Sequence, residues 1–250
     1  MKISVITVCF NSVDTIEDAI RSVAAQKYSD VEYIVIDGAS SDGTQRVVER
    51  CNAVVSKWVS EPDNGIYDAM NKGIALASGD VVGFLNADDL YAHPNVLSTV
   101  AKALAAKNVD ACYGDVVFVR GDLRKVVRYY SSSRFAPERL AYGWMPAHPT
   151  LFLKRDIFRD YGCFKTDYRI AADYELVVRL FRRHRIGYHY IPDVLVKMRV
   201  GGVSTRGVKS NYILSREIVR ACRENGVKTN LFKVLLKYPA KLMELVRRPL

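Results

Sequence analysis

Short apolar runs alternate with stretches of helical period through the first 120 residues, and few architectures accommodate that alternation. Ile3–Cys9, residues 31–36, 54–59 and 81–85, then 111–113 with 116–119, are rich in β-branched and aromatic residues. Between them, residues 11–25 place Ile16, Ala19, Ile20 and Val23 on one face, and residues 67–77 do the same with Ala69, Met70, Ile74 and Ala77. Asp42-Gly43-Thr44 opens a further helix through residue 51, and residues 94–107 form another. Strands separated by helices predict right-handed βαβ units, and hence an α/β domain on a mostly parallel central sheet flanked by helices. Continuous apolar strands are what such a sheet needs, because helices cover both its faces.

The second half is less regular. Residues 121–149 read as an extended loop with one hairpin, and residues 150–153 as strand. A short helix at 156–161, a stronger one at 172–183 and a late strand at 194–200 follow. Helices at 208–224 and 231–246 make a helical C-terminal extension. At 250 residues the chain is one large domain or a domain with an extension, and an apolar fraction of 49% supplies a sizeable core. No apolar run reaches the ~18 residues needed to span a bilayer, and no signal peptide precedes the first strand. Five scattered cysteines without a CxxC pair point to reduced thiols in the cytoplasm and to no zinc site.

Charge is divided unevenly. Residues 1–100 carry seven Lys and Arg against fourteen Asp and Glu, so the net of +10 resides wholly in the remainder. A basic half suits phosphates, of a small molecule or of lipid. No RRM, KH, zinc-finger or helix-turn-helix pattern accompanies it, which argues against nucleic acid.

Four clusters carry potential chemistry. Asn86-Ala87-Asp88-Asp89 follows the strand at 81–85, so its carboxylates stand at the carboxyl edge where open α/β sheets bind ligands. Adjacent acids repel unless a cation or donors offset them; the competing reading is a polar turn before the helix at Pro94. Asp37 ends the second strand and can accept from a base imide or a ribose hydroxyl, while Asp42 reads as a helix cap. The third cluster, residues 61–73, places Asp68 in a helical first turn, where it also offsets the helix dipole, with Asn71 and Lys72 beyond it. The fourth, Ala171-Ala172-Asp173-Tyr174, makes Asp173 either a cap or a base aimed into a cleft. No GxGxxG follows the first strand and no P-loop occurs, so dinucleotide and P-loop chemistry are poor readings.

Taken in order, Thr7-Val8-Cys9-Phe10-Asn11, Asp37-Gly38 with Ser41-Asp42-Gly43-Thr44, Asn86-Ala87-Asp88-Asp89 and Ala172-Asp173-Tyr174 resemble the family 2 glycosyltransferases of GT-A fold. The resemblance spans roughly residues 3–205. Residues 67–73 and Gly201-Gly202-Val203-Ser204 are similar to the colanic-acid branch of exopolysaccharide enzymes. It implies a domain at 1–205, with a nucleotide-sugar half at 1–115 and an acceptor half at 116–205, followed by a basic helical extension at 206–250. It further implies an inverting transfer of sugar from a UDP- or GDP-linked donor to a glycan or lipid-linked acceptor. Carried over by position, Thr7, Asn11, Asp37, Asp68, Lys72, Asn86, Asp88 and Arg199 line the donor. Asp88 holds Mg2+ or Mn2+, His148 lies near the acceptor and diphosphate, and Asp173 is the catalytic base. The chain departs from the family pattern at Asn86 and Ala172, both usually acids.

Two rivals stand beside this reading. A sugar nucleotidyltransferase needs a Gly-rich basic loop after the first strand, and Cys9-Phe10-Asn11-Ser12 is not one. A catalytically impaired sugar- or lipid-binding scaffold is the other, given Asn86 and Ala172. A processive synthase would need membrane spans and a QxxRW-type motif. From residue 226 onward six basic residues face one acidic residue, so residues 229–248 read as an amphipathic segment that contacts the inner face of the cell membrane.

Overall fold

Among the described residues (1–105, 109–121, 123, 125–200 and 208–236), nine strands form one sheet in the computed structural model. The strands are β1 Ile3–Cys9, β2 Val31–Asp37, β3 Lys57–Ser60, β4 Val81–Phe84, β5 Leu90–Tyr91, β6 Ala111–Arg120, β7 Lys125–Tyr130, β8 Phe152–Lys154 and β9 Tyr188–Arg199. The helices are α1 Ile16–Ala24, α2 Thr44–Arg50, α3 Ile66–Leu76, α4 Val96–Leu104, α5 Asp156–Tyr161, α6 Ala172–Val178, α7 Val208–Glu224 and α8 Leu231–Leu235.

The sheet order is β3-β2-β1-β4-β8-β6-β9-β5, with β7 hairpinned onto β6. β1, β2, β3 and β4 are mutually parallel, as are β6 and β9, and the β1/β2 and β6/β9 pairings are the longest ladders. β8 runs antiparallel to both β4 and β6. That double reversal restores β6 and β9 to the direction of β1. The carboxyl ends of β1, β2, β4, β6 and β9 therefore share one edge, where such sheets hold ligands.

Alternate strand residues feed two cores, one on each face. Ile6, Ile34, Ile36, Phe84 and Tyr113 pack with Met70 and Ile74 of α3, Leu176 and Val177 of α6, and Ile218 and Cys222 of α7. Val5, Tyr33, Val35 and Val81 pack with Ile16 and Ile20 of α1, Val48 of α2 and Leu97 of α4. Each fully buried aliphatic side chain stabilises by about 1.5–3 kcal/mol. Gly73 brings α3 down onto β1, since a Cβ there would meet the Ile6 side chain. α7 shares its core with α6, so this part of the C-terminal extension belongs to the main body.

Several boundaries differ from expectation. α1 begins at Ile16 rather than 11, because Asn11 is left-handed (φ 48°) and Thr15 and Ile16 turn back onto the Ser12 carbonyl. β3 starts at Lys57 rather than 54, since Val54 and Val55 close a turn on Cys51 after α2. α4 spans Val96–Leu104 rather than starting at Pro94. The two pieces expected at 111–119 are one strand, β6, with register shifts around Asp115. β9 begins at Tyr188, six residues before the expected strand, and carries Pro192 at an irregular stretch of its ladder. Beyond Val178 the expected helix widens to a π turn at Arg179–Arg183. The two-residue β5, made from the chain directly after Asp89, was not anticipated. The Gly201–Ser204 motif, the expected helix beyond residue 236 and most of the 229–248 segment lie outside the described residues.

Candidate functional site

The loops that leave β1 and β2 form one wall of the shared edge. Asp37 is fully buried, and its carboxylate accepts from Ser40 N–H (3.0 Å), Ser40 Oγ and Ser60 Oγ (2.6 Å). It thereby pins the loop that carries Ala39 at φ 61°, a conformation a β-carbon disfavours. Asn11 continues the tie: its N–H donates to Ser40 Oγ (2.8 Å) and its side-chain oxygen accepts from Ser41 N–H (3.0 Å). Asp42 is not itself the helix cap, a place taken by Gly43. It accepts from Thr44 N–H (2.9 Å) and Val13 N–H (3.0 Å), stapling this loop to the one before α1. Thr7 is buried within the sheet, donating to the Leu85 carbonyl (2.7 Å) and accepting from Tyr33 Oη (3.0 Å). Phe10 stands out at 63% exposure beside Gly38, which also abuts the Asp63 carboxylate.

Asp68 lies in the first turn of α3 and Lys72 one turn further on. Asp68 accepts from Asn64 N–H (3.0 Å), and the Lys72 ammonium is held by Glu61 (2.8 Å) and the Pro62 carbonyl (2.8 Å). Asn71 faces elsewhere, clamping both backbone groups of Phe164 (2.8 and 3.0 Å).

The turn after β4 concentrates negative charge. Asn86 Nδ2 donates to Asp89 Oδ2 (2.8 Å), so the residue that departs from the family pattern ties the turn together. Burial, reinforced by the Asp88 charge, pushes the Asp89 carboxyl up to about 8. Arg199, at the end of β9, donates from Nε to the Asp88 carbonyl (3.1 Å) and pairs with Asp18 of α1. It therefore holds the turn in place. The Asp88 carboxylate is half-buried and pairs with no described residue. Among the described residues no group of three or more His, Cys, Asp or Glu gathers around a point. One open carboxylate beside an acid driven towards its neutral form fits a hard cation that takes its remaining oxygens from substrate and water.

Asp173 lies in the first turn of α6, one residue past its start, and so is not the cap. Its Oδ1 accepts from Tyr174 N–H (2.7 Å) and lies 3.4 Å from Tyr67 Oη. Burial raises its pKa, and the neighbouring His148 counteracts part of that rise. Burial conversely lowers the pKa of His148, opposed by the Asp173 charge. His148 stacks on Phe84 (centroids 5.9 Å apart) and meets Phe164 edge-on (6.0 Å), while Tyr67 stacks on Phe164 (5.8 Å). Phe84 is the last residue of β4, so the same strand end supports the acidic turn and the aromatic box around Asp173.

Asp88, His148 and Asp173 are thus gathered on one edge, with Asn11 and Asp37 building the adjoining wall. Thr7, Asp68, Lys72, Asn86 and Arg199 have their polar groups committed to neighbouring protein groups. Phe10 and Tyr67 lie within the stretches that resemble the family, yet the sequence assigns neither a role. Tyr67 passes for one more core residue of α3, and no local signal says that it reaches a residue more than a hundred positions away.

A family model described as Glycosyl transferase family 2 matches residues 4–164. An uncharacterized glycosyltransferase of Mycobacterium tuberculosis H37Rv is 36% identical over 180 residues, which cover 71% of this chain and 68% of that protein. A PGL/p-HBAD biosynthesis glycosyltransferase of Mycobacterium bovis BCG is 27% identical over 221 residues, 87% of this chain and 82% of its own. Among solved structures, S. aureus TarS 1-349 in complex with UDP-GlcNAc superposes with a TM-score of 0.70 at 19% identity, covering 91% of this chain and 68% of that one. The mannosyltransferase PcManGT from Pyrobaculum calidifontis, in complex with GDP-Man and Mn2+, gives 0.66 at 24% identity, covering 96% and 69%.

Proposed function

The chain belongs to glycosyl transferase family 2 and is a glycosyltransferase of GT-A fold, and from that premise we propose an inverting sugar transfer with Asp173 as general base. The observation that carries this reading is the raised pKa of Asp173, at the edge that also holds the open Asp88 carboxylate. An acceptor hydroxyl is a weak nucleophile, so a positioned carboxylate must take its proton as the new C–O bond forms. A base with a raised pKa does this at neutral pH with more driving force than an ordinary carboxylate. Attack from the face opposite the departing diphosphate inverts the anomeric carbon.

The donor is a UDP- or GDP-sugar, a choice supported by the UDP-GlcNAc of TarS and the GDP-Man of PcManGT. The half at 1–115 holds it, the half at 116–205 takes the acceptor, and 206–250 forms the helical extension. Exposed Phe10 offers a face to the base. Asp37 shapes the pocket through Ser40 and Ser60, and direct contact with the base requires it to exchange one of those bonds. Asp88 would hold Mg2+ or Mn2+, which when bound stabilises the charge of the departing nucleoside diphosphate. His148, neutral and packed on Phe84, faces the acceptor side. Arg199, which holds the turn through the Asp88 carbonyl and Asp18, reaches the diphosphate by exchanging one of those bonds.

The acceptor is a lipid-linked cell-surface glycan of the exopolysaccharide type, reached from the cytoplasmic face of the membrane. No helix of the described residues is long and apolar enough to cross a bilayer. α8 nevertheless exposes Leu231, Phe232 and Leu235 within the basic C-terminal region, the composition of a segment that lies on anionic lipid. Removal of residues 229–250 should weaken sedimentation with phosphatidylglycerol vesicles, and unchanged sedimentation refutes the membrane contact. The activity is tested by nucleoside diphosphate release from a panel of UDP-, GDP- and dTDP-sugars with Mg2+ or Mn2+. Release from none of them would favour the scaffold reading.

A further inference from the structure

We propose that Glu217, on α7, is a positioning residue that sets where Asp173 points. The inference rests on the reading of Asp173 as the base. The segment before α6 has no means of capping itself, because its cap position is Ala171 and the next residue is Ala172. Glu217 supplies what is missing. Its Oε1 accepts from Arg169 N–H (2.8 Å), and its Oε2 accepts from Ile170 N–H and Ala171 N–H (2.9 Å each). One carboxylate thus gathers three successive amides immediately ahead of the base. Hydrogen bonds to a charged acceptor are the stronger kind.

The segment is held from the opposite side as well. Tyr67 Oη, from α3, donates to the Ile170 carbonyl and approaches Asp173 Oδ1. Ala171 and Ala172 are fully buried, so the backbone between these grips has little room to move. Asp173 is therefore placed by two helices remote in sequence, α3 and α7. Removing the α7 grip frees three amides and lets the start of α6 rotate, carrying the carboxylate away from His148. Glu217 lies beyond the residues matched by the family model, and its sequence context reads as an ordinary polar helix face.

The test compares wild type, Glu217→Ala, Glu217→Gln and Asp173→Asn by two readouts. With the donor that the panel identifies, Glu217→Ala should lower kcat by about tenfold to 10²-fold, the cost of a misplacement near 1 Å, and leave donor KM almost unchanged. Glu217→Gln keeps one acceptor oxygen and should recover part of the loss. The second readout needs no substrate: the imidazole of His148, one of four histidines, is titrated by NMR. Asp173→Asn should lower its pKa by removing the nearby anion, and Glu217→Ala should move it the same way, with Glu217→Gln in between. An unchanged kcat, a rise in KM alone, or equal His148 shifts in both Glu217 variants would overturn the proposal, the last by showing only a through-space charge effect. Retained turnover in Asp173→Asn would instead remove the base assignment, while the His148 titration still decides whether Glu217 places Asp173. If no donor is turned over, that titration decides alone.

Discussion

Replacing Asp173 by Asn isolates the chemistry of this site from its architecture. The amide oxygen can still accept from Tyr174 N–H and lie against Tyr67 Oη, and its shape is that of the carboxylate it replaces. What disappears is the capacity to take a proton, worth about 10²–10⁴ in rate, or roughly 2.7–5.4 kcal/mol at 1.36 kcal/mol per decade. kcat for nucleoside diphosphate release should fall by that factor, while donor-induced thermal stabilisation with Mn2+ stays as in the wild type. The folded-state pKa of Asp173 is raised, so its neutral form is favoured by folding. That preference helps stability at low pH and is lost as pH rises through the raised value. Asn cannot ionise, so the variant's Tm near pH 8 should equal or exceed that of wild type. The acid limb of the wild-type rate profile should correspondingly lie above the ordinary carboxylate range. Turnover within about fivefold of wild type, far short of the loss expected of a missing base, would refute the assignment. So would lost donor binding with a lowered Tm, because either removes the separation between chemistry and structure.

Asp88→Ala should weaken Mn2+-dependent nucleotide binding by calorimetry and leave metal-free binding unchanged; equal affinity with and without metal in both proteins would refute its role as ligand. Glu32 is buried at the opposite edge of the sheet, accepting from Ser4 Oγ (2.6 Å), Ser78 N–H (2.7 Å) and Lys57 Nζ (2.9 Å). Burial alone would raise its pKa, but the bonds from Lys57, Ser4 and Ser78 outweigh it and hold the carboxyl far below the usual range. Its stabilisation is therefore complete above the ordinary value of 4.5 and fades as pH falls below it. Glu32→Gln should cost about 1.5–3 kcal/mol at pH 7 and less under acid, read by urea unfolding at the two pH values. Gly83→Ala would drive a Cβ into the buried Phe152 ring across the β4/β8 ladder and should cost about 1–3 kcal/mol, measured in the same way.

The N-terminal half was legible because local chemistry there is unopposed. Apolar strands covered on both faces announce themselves as uninterrupted runs, and the carboxylates that end them stand where the next turn must be. Asp88 and Asp173 could be singled out by that logic. Other parts were less legible, since β9 carries Pro192 and polar positions, and β5 consists of two residues that become strand only by pairing with β9. Arg199 shows the limit of local reasoning: the sequence places a cation at a strand end, but its bonds to Asp18 and to the Asp88 carbonyl depend on residues more than a hundred positions distant.

By itself, then, the sequence determined the α/β class, the order of its main elements and the acids that could work at the sheet edge, because strand and helix periods and turn chemistry are local properties. Only the tertiary structure decided which acids are free. Asp37 and Asp68 are spent on neighbouring loops, Asp88 pairs with no described residue, and Asp173 is half-buried beside Tyr67 and the His148 charge with Glu217 fastening the segment before it. Desolvation and hydrogen-bond partnership set those states, and both arise from groups that folding brings together across long stretches of chain.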